Sequence, residues 1–479
     1  MMPGIAPSLD LLGGMLGRWT RLRDDVTRDA TRVAADAGAF WALAQQRARD
    51  IDQTGRSTPR FLRIVRDALF ITGSMRVHRA AAVHLTEAEA ATRLHHLHEA
   101  NAARAYAACI ELGGGVLKLG QLLSCRMDVL PAPWVAALSK LQDQVPGEPY
   151  DLIAARIEAE LGRPADELFA FFDPEPLAAA SLAQVHAARL HDGREVVVKV
   201  LRPGIEDVLA ADVAALRFIA AALPGLLDGL EVGPVVSEVV RSLQSELCFR
   251  READNAEDFG RAFADHPRVW IPEVYRELSS QSVLTLSRAP GISLALALEQ
   301  RPEQRDQILE TLVDCFCAQV LRYGLVHADP HPGNLMVTED GRLILIDFGA
   351  VQRYTPDQRR AWAELAGAIL ARQPDKTARL LESLGFSTPD GDPAVLTAYA
   401  ELFMEAFLAQ AGGSLADIDP HRMMEEAIAL GRSQPVNVPQ HFVMLGRVFA
   451  ALGGPLFHYQ PSLNLFQILA PHLGEALSA

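Results

Sequence analysis

One short stretch constrains this chain more than any other: an Asp-x-x-x-x-Asn loop and an Asp-Phe-Gly segment sit on the two arms of a single hairpin. Asp329 is followed at the fifth position by Asn334, in Asp329-Pro-His-Pro-Gly-Asn334. The apolar run Leu335-Met-Val, the turn Glu339-Asp-Gly-Arg342 and the apolar run Leu343-Ile-Leu-Ile then lead to Asp347-Phe-Gly349. Two strands around an Asp-Gly turn make a hairpin, which returns Asp347 to the side of Asn334, where one metal ion could bridge both. The spacing is that of a phosphoryl-transfer site. Such a site needs hard oxygen ligands for magnesium, a carboxylate that orients the attacking hydroxyl and a cation on the nucleotide phosphates. Asn334 and Asp347 are the magnesium ligands on this reading, and Asp329 is the orienting carboxylate.

A second Asp-Gly turn, His191-Asp-Gly-Arg194, joins the run ending at Leu190 to Glu195-Val-Val-Val-Lys199-Val-Leu201. It puts Lys199 on a strand, in the place of the lysine that pairs the nucleotide phosphates. Downstream, Pro234 to Ala264 reads as one long helix carrying Glu246 and Glu252. Strands around Val269 to Val274 and Ser282 to Leu286 follow and make a small sheet with it. Glu252 is the expected ion-pair partner of Lys199. Glu246 and Glu252 are six residues apart, about 240° around a helix of 3.6 residues per turn, so they serve different partners. A lysine closing an apolar strand usually just keeps its ammonium in water, and Asp-Phe-Gly alone carries little. Together these residues fall in the required order on the required element types, and that agreement carries the reading.

Between residues 111 and 124 the sequence Glu-Leu-Gly-Gly-Gly-Val-Leu-Lys-Leu-Gly-Gln-Leu-Leu-Ser is helical in pattern. Its four glycines weaken a helix unless something must approach closely. Lys118 and Gln121 share one helical face, and Lys118 is the economical partner for Glu246. Residues 1–85 are helix-prone and rich in Arg, Asp and Ala, with no constellation that attaches to chemistry. Beyond Pro290 the chain is mostly helical, with looser joints at Thr388-Pro-Asp-Gly-Asp-Pro393 and near Gly453.

The 479 residues are 49% hydrophobic and 22% charged, an ordinary globular composition. A net charge of −15 repels phosphate backbones and argues against nucleic acid as a partner. The five cysteines, Cys109, Cys125, Cys248, Cys315 and Cys317, suit a reducing compartment rather than a disulfide framework. The start, Met-Met-Pro-Gly-Ile-Ala-Pro-Ser, lacks the basic flank and apolar core of a signal peptide. The uncharged stretch Val448 to Gly474 is interrupted by Gly453, Pro455, Pro461 and Pro471 and cannot form one spanning helix. A cytoplasmic protein is expected, with any membrane attachment peripheral, through apolar faces of the N-terminal region or of Val448 to Leu473.

His327 and His331 have the spacing of a helical zinc pair, but Pro330 and Pro332 break such a helix and no third ligand is evident, so zinc is not expected. His327 is instead expected to brace the loop by hydrogen bonds. Gly115 and Gly120 precede Gln121 rather than the Lys-Ser or Lys-Thr of a P-loop, which argues against a Walker-type NTPase. His95, His96 and His98 read as a solvated face, and Cys248 as a small packed residue.

The segments Lys118-Leu-Gly120-Gln121, Ala178-Ala179-Ala180-Ser181, Val196-Val-Val-Lys199, Glu246 with Arg251-Glu-Ala, His327-Ala-Asp-Pro-His-Pro-Gly-Asn334 and Leu345-Ile-Asp-Phe-Gly349 together resemble the UbiB/AarF (ADCK) family of atypical protein-kinase-like proteins. The resemblance runs from about residue 85 to 470. It implies that the alanine-rich run Ala178 to Ser181 replaces the usual glycine-rich nucleotide loop. It also implies that the helix with Lys118, Gly120 and Gln121 belongs to a regulatory extension folded over the active site, with Lys118 and Gln121 facing the nucleotide. One departure stands out: the family's Glu-x-Asp appears as Glu246-Leu-Cys248, without the second carboxylate.

The expected fold is α+β: a two-lobed, predominantly helical kinase-like fold with an N-terminal helical extension and C-terminal helices. The expected divisions are a variable helical region 1–85, an extension 86–150, an N-lobe 151–289 and a C-lobe 290–479. The resemblance implies MgATP or MgADP as ligand, and ATP hydrolysis or phosphorylation of a small, lipid-linked acceptor in support of isoprenoid-quinone or other lipid metabolism. The implied partners are quinone precursors and quinone-biosynthesis proteins. Two other classes remain open: a phosphotransferase of the aminoglycoside or choline type, and a nucleotide-sensing scaffold without turnover.

Overall fold

The structure, a computed structural model, describes residues 31, 35–48, 58–124, 130–141, 146–222, 236–237, 240–241, 243, 246–388, 394–401 and 436–478. The opening stretch, read as lacking the features of a signal peptide, lies outside these. The chain divides into two compact units, Met1–Pro164 with Asp173–His186 and Lys199–Leu247, and Ala165–Phe172 with Ala187–Val198 and Cys248–Ala479.

The first unit is built on helices α1 (Thr58–Ala82), α2 (Glu87–Leu112), α3 (Gly114–Ser124), α4 (Ala132–Leu138), α5 (Tyr150–Leu161) and α6 (Ile205–Ala222). Thr86 starts α2 with a reciprocal cap: its hydroxyl accepts from the Glu89 N–H, and the Glu89 carboxylate accepts from the Thr86 N–H. α1 packs on α2 and α6, and α2 on α3 and α4. Phe61 and Val65 of α1 are buried with Phe40, Ala215 and Ile219, and the Phe218 ring packs tilted against Phe40, 4.9 Å between ring centres. A second cluster joins Cys109, Leu117, Leu138 and Leu141 across α2, α3 and α4.

Strands β1 (Phe171–Ala179), β2 (Ala183–Arg189), β3 (Glu195–Leu201) and β5 (Val283–Ser287) form a four-stranded sheet in the order β1-β2-β3-β5. Gly193, at φ +89°, makes the β2–β3 turn that the Asp-Gly pair announces. Pro174 and Pro176 keep β1 at the edge, where a missing donor is harmless.

In the second unit, α7 (Phe249–Ala262) leads to β4 (Val269–Trp270), and a second sheet runs β4-β9-β8-β6, with β6 at Gly291–Ser293, β8 at Leu335–Thr338 and β9 at Leu343–Leu345. β4 and β5 therefore belong to different sheets, not to the one small sheet their closeness in sequence suggests. β4 pairs with β9 in parallel, a choice made by a distant strand. β7 (Leu325–His327) pairs with β10 (Val351–Arg353). Helices α8 (Leu294–Gln300), α9 (Arg305–Cys317), α10 (Pro356–Leu370), α11 (Pro374–Ser383), α12 (Gln440–Tyr459) and α13 (Leu465–Ser478) complete the unit.

The joint expected near Gly453 is absent. α12 continues through Gly453, Gly454 and Pro455 because Leu445, Val448 and Leu452 anchor one face in the core, which outweighs the amide that proline forfeits. It ends at Gln460, φ +45°, so the uncharged stretch is two helices. No helix among the described residues is long and apolar enough to cross a membrane.

The single long helix expected over Pro234 to Ala264 is also corrected. α7 begins only at Phe249, and Cys248 leaves the helical region at φ −126°, ψ 89°. The Phe249 N–H bonds the Gln281 carbonyl at 2.9 Å instead of a preceding turn. The angular argument that separated Glu246 from Glu252 on one helix therefore does not apply; a break between them does the separating.

Candidate functional site

In the second unit the hairpin forms as expected, with Leu335 opposite Leu345 and Val337 opposite Leu343. The pairing extends one step past β8, since the Ile346 N–H bonds the Asn334 carbonyl at 3.0 Å. Asn334 and Asp347 thus stand at the same end of the hairpin. Asn334 closes a short turn over Pro332–Asn334, and its side-chain amide donates to the Asp329 carbonyl at 3.0 Å. That bond commits the nitrogen to the loop and leaves the amide oxygen as the group a cation would take. Asp329 is partly exposed, with its carboxylate 4.0 Å from His331 Nε2.

Asp347 holds φ +61°, a left-handed conformation that carries a strain of about 1–3 kcal/mol in a non-glycine residue unless its surroundings impose it. The surroundings are visible. Its Oδ1 accepts from the Gly349 N–H at 3.2 Å, and Asn255 of α7 donates to the Phe348 carbonyl at 2.9 Å. Phe348 is fully buried, 5.1 Å from Phe259 and 5.6 Å from His327 between ring centres. Gly349 has reason to lack a side chain: a Cβ there would lie 3.2 Å from Asp347 Oδ1 and 3.9 Å from Glu252 Oε2. Glu252, only 5% exposed, is thereby placed beside the Asp-Phe-Gly segment.

His327 braces the loop as expected. It is buried, its Nε2 donates to the Ile346 carbonyl at 3.0 Å, and its own N–H bonds Gln319 Oε1 at 2.8 Å. Burial lowers its pKa and keeps the ring neutral. The sequence pointed to Asp329, Asn334, Asp347 and Glu252, and the structure brings these four together in one unit. It missed Asn255, whose partners Phe348 and Arg353 are distant in the chain, and Gln319, which carries no motif although His327 follows it by only eight residues.

Lys199 and the run Ala178 to Ser181 fall in the first unit. Lys199 lies on β3, opposite the face that buries Val196, Val198 and Val200. Ala178 and Ala179 end β1, and Ala180 turns the chain, its N–H bonding the Ala183 carbonyl at 2.8 Å. Arg202 fixes this turn from behind, donating to the Ala180 carbonyl at 2.9 Å and to Glu148 Oε1 at 2.7 Å. The structure also pairs Lys118 with Glu246, Nζ to Oε1 at 3.3 Å. Gly120 is required there, because a Cβ would come within 2.7 Å of Cys109 Sγ and 2.6 Å of Leu141 Cδ1. Gln121 follows it on α3.

The donor set of Asn334 and Asp347, an amide oxygen and a carboxylate at one hairpin end, suits magnesium, which takes few protein oxygens and completes its shell with phosphate and water. No group of three or more His, Cys, Asp or Glu side chains able to hold a metal occurs among the described residues.

Residues 140–381 match the model of the ABC1 atypical kinase-like domain. The chain is 34% identical to a probable protein kinase UbiB of Marinobacter nauticus, over 76% of this chain and 68% of that protein. It is 32% identical to the chloroplastic protein Activity of bc1 complex kinase 8 of Arabidopsis thaliana, over 77% of this chain and 53% of the plant protein. Several such relatives are longer, and the chain spans 53 to 62% of their length. Among solved structures, a complex of Rv3197 with erythromycin from Mycobacterium tuberculosis is similar at a TM-score of 0.57 and 27% identity, covering 77% of this chain and 94% of that one. With a two-lobed α+β kinase-like fold and its hairpin site in place, this chain belongs to the UbiB/ABC1 (ADCK) family of atypical kinase-like proteins.

Proposed function

We propose that the protein binds MgATP and MgADP and uses the γ-phosphoryl group either for hydrolysis or for transfer to a small, lipid-linked acceptor, in support of isoprenoid-quinone or other lipid metabolism. The observation that carries this reading is the convergence of Asp329, Asn334 and Asp347 at one end of the β8–β9 hairpin, with Glu252 beside Gly349. Asn334 and Asp347 would hold the magnesium, which neutralises charge on the β- and γ-phosphates when bound. Lys199 of the first unit would pair the α- and β-phosphates, and the buried Glu252 stands beside the Asp-Phe-Gly segment in the second. Asp329, on the exposed side of the loop, orients the attacking hydroxyl or water. The turn Ala178 to Ser181 covers the nucleotide, and Lys118, Gly120 and Gln121 on α3 regulate access, with Glu246 holding Lys118. Attachment to a lipid surface, where the acceptor resides, would be peripheral. The relatives' names, UbiB above all, support the link to quinone metabolism.

Thermal stabilisation by ATP and ADP, with and without Mg²⁺, tests this in the parent and in Asp347→Asn. A ligand at a hundred times its Kd adds about 2.7 kcal/mol. A magnesium-dependent shift that disappears in Asp347→Asn is the expected result. No shift with either nucleotide in a folded protein would overturn the reading.

A further inference from the structure

The segment before residue 85, silent in motif, supplies a residue that fixes the start of the Lys118 helix. Arg60 of α1 grips Asp212 of α6 in a two-pronged pair, Nε to Oδ1 at 2.5 Å and Nη2 to Oδ2 at 2.8 Å. The same guanidinium donates to the last carbonyls of α2, from Nη1 to Leu112 at 2.6 Å and from Nη2 to Gly113 at 3.1 Å. The Asp212 carboxylate, fully buried, also lies against Gly114 and Gly115 at the start of α3. The cation therefore sits on the negative end of one helix and the anion on the positive end of the next.

The glycine run makes this junction possible. Gly113 and Gly114 take φ +60° and +54°, which turns the chain from α2 into α3. A Cβ on Gly115 would lie 2.7 Å from Asp212 Oδ2 and 2.5 Å from Leu209 Cδ2. The close approach implied by so many glycines is thus the approach of the Asp212 carboxylate. Arg63, on the same face of α1, adds a second clamp to the end of α2 through Glu111, at 2.9 and 2.6 Å. Lys118 lies one turn into the helix so anchored.

We infer that the Arg60–Asp212 pair is a positioning latch that sets where α3 begins, and thereby how Lys118 and Gln121 are presented to the nucleotide. The functional half of this inference rests on the regulatory role proposed above for Lys118 and Gln121. The structural half stands without it.

Removing one partner strands a buried charge and endangers the fold, whereas replacing both by apolar residues of similar size is often tolerated. The full-length chain is therefore compared in four variants: Arg60→Lys, which keeps the charge and loses the fork, Asp212→Asn, the double variant Arg60→Met/Asp212→Leu, and Lys118→Ala. Hydrogen exchange of residues 114–118 and the ratio of MgATP to MgADP dissociation constants are read in each. The latch variants should exchange those amides about tenfold faster, with the rest of the first unit unchanged. Their nucleotide ratio should move about fivefold, in the same sense as Lys118→Ala.

Unchanged exchange in folded latch variants would overturn the inference. So would global unfolding of all three, which would make the pair a determinant of the whole fold. Faster exchange with an unmoved nucleotide ratio, while Lys118→Ala moves it, would overturn the functional half and leave the role of Lys118 standing. A parent that binds nucleotide and a Lys118→Ala variant that matches it would instead defeat the reading of Lys118, and the functional half with it.

Discussion

The Ile346 N–H reaches the Asn334 carbonyl at 3.0 Å, and the Ile346 carbonyl in turn accepts from His327 Nε2 at 3.0 Å. Ile346, the residue preceding Asp347, thus ties Asn334 and the buried histidine into a single frame. Asp347 is held in its left-handed conformation from both sides, by this frame and by the bond from Asn255 to the Phe348 carbonyl. The proposed metal ligands are therefore oriented by groups that never touch the metal, and such supporting groups typically matter about 10- to 100-fold in metal affinity.

His327→Gln should accordingly weaken the Mg²⁺ affinity of the nucleotide-bound protein by about 10- to 100-fold while leaving nucleotide binding measurable at high Mg²⁺. The same histidine sets a pH dependence. Its pKa is lowered in the folded state by burial, so the unfolded chain takes up a proton first. Its contribution to stability is complete above the ordinary histidine value, about 6.5, and is lost as pH falls below it. Thermal unfolding followed between pH 5 and 8 should show a shallower acid loss in His327→Gln than in the parent, and equal slopes would refute the assignment.

Gly120→Ala should destabilise the first unit by about 1–3 kcal/mol, the ordinary cost of overpacking, because the added methyl meets Cys109 Sγ and Leu141 Cδ1. Cys109→Ala, by removing one of the two colliding atoms, should recover part of that loss in the double variant. Urea unfolding of the two singles and the double closes the cycle, and strict additivity would show that the two residues do not share the space described.

Much of this site was legible from local signals. Continuous apolar runs around Asp-Gly turns announced both hairpins, because hairpins are short-range objects, and residue order pointed to Asp329, Asn334, Asp347 and Glu252 as the candidates that the second unit holds. What stayed hidden was set by distant partners. The break at Cys248 follows from a bond to Gln281, β4 pairs with a strand that comes after it in the chain, and Arg60 finds its meaning in Asp212. The glycines of α3 said that something approaches, but only the folded chain says that it is a carboxylate on one side and a thiol on the other.

Asp314 of α9 accepts from His266 Nε2 at 3.2 Å and from His472 Nε2 of α13 at 2.9 Å. The bonds from His266 and then His472 hold its carboxyl well below the usual carboxylate range. A depressed carboxylate contributes stability that is present above its unfolded pKa, about 3.9, and is lost as pH falls through its folded value. Asp314→Asn should therefore lower the melting temperature at neutral pH and flatten its fall on acidification below about pH 4. A variant with the same acid limb as the parent would mean that the two histidines do not stabilise the carboxylate.

Cys248 occupies the position just before the first turn of α7, and its side chain makes no capping bond to that helix. The resemblance places an aspartate at this position. Aspartate is among the best residues at a helix start, since its carboxylate accepts from the unpaired N–H groups and favours the positive end of the helix dipole. Cys248→Asp should raise stability by about 0.5–2 kcal/mol, and Cys248→Ala should leave it nearly unchanged, because a thiol that caps nothing is lost without leaving a donor unpaired. The comparison is best made by urea unfolding at pH 7 and again near pH 3, where a protonated aspartate caps more weakly and the gain should shrink. A gain of the same size at both pH values would exclude capping by the carboxylate.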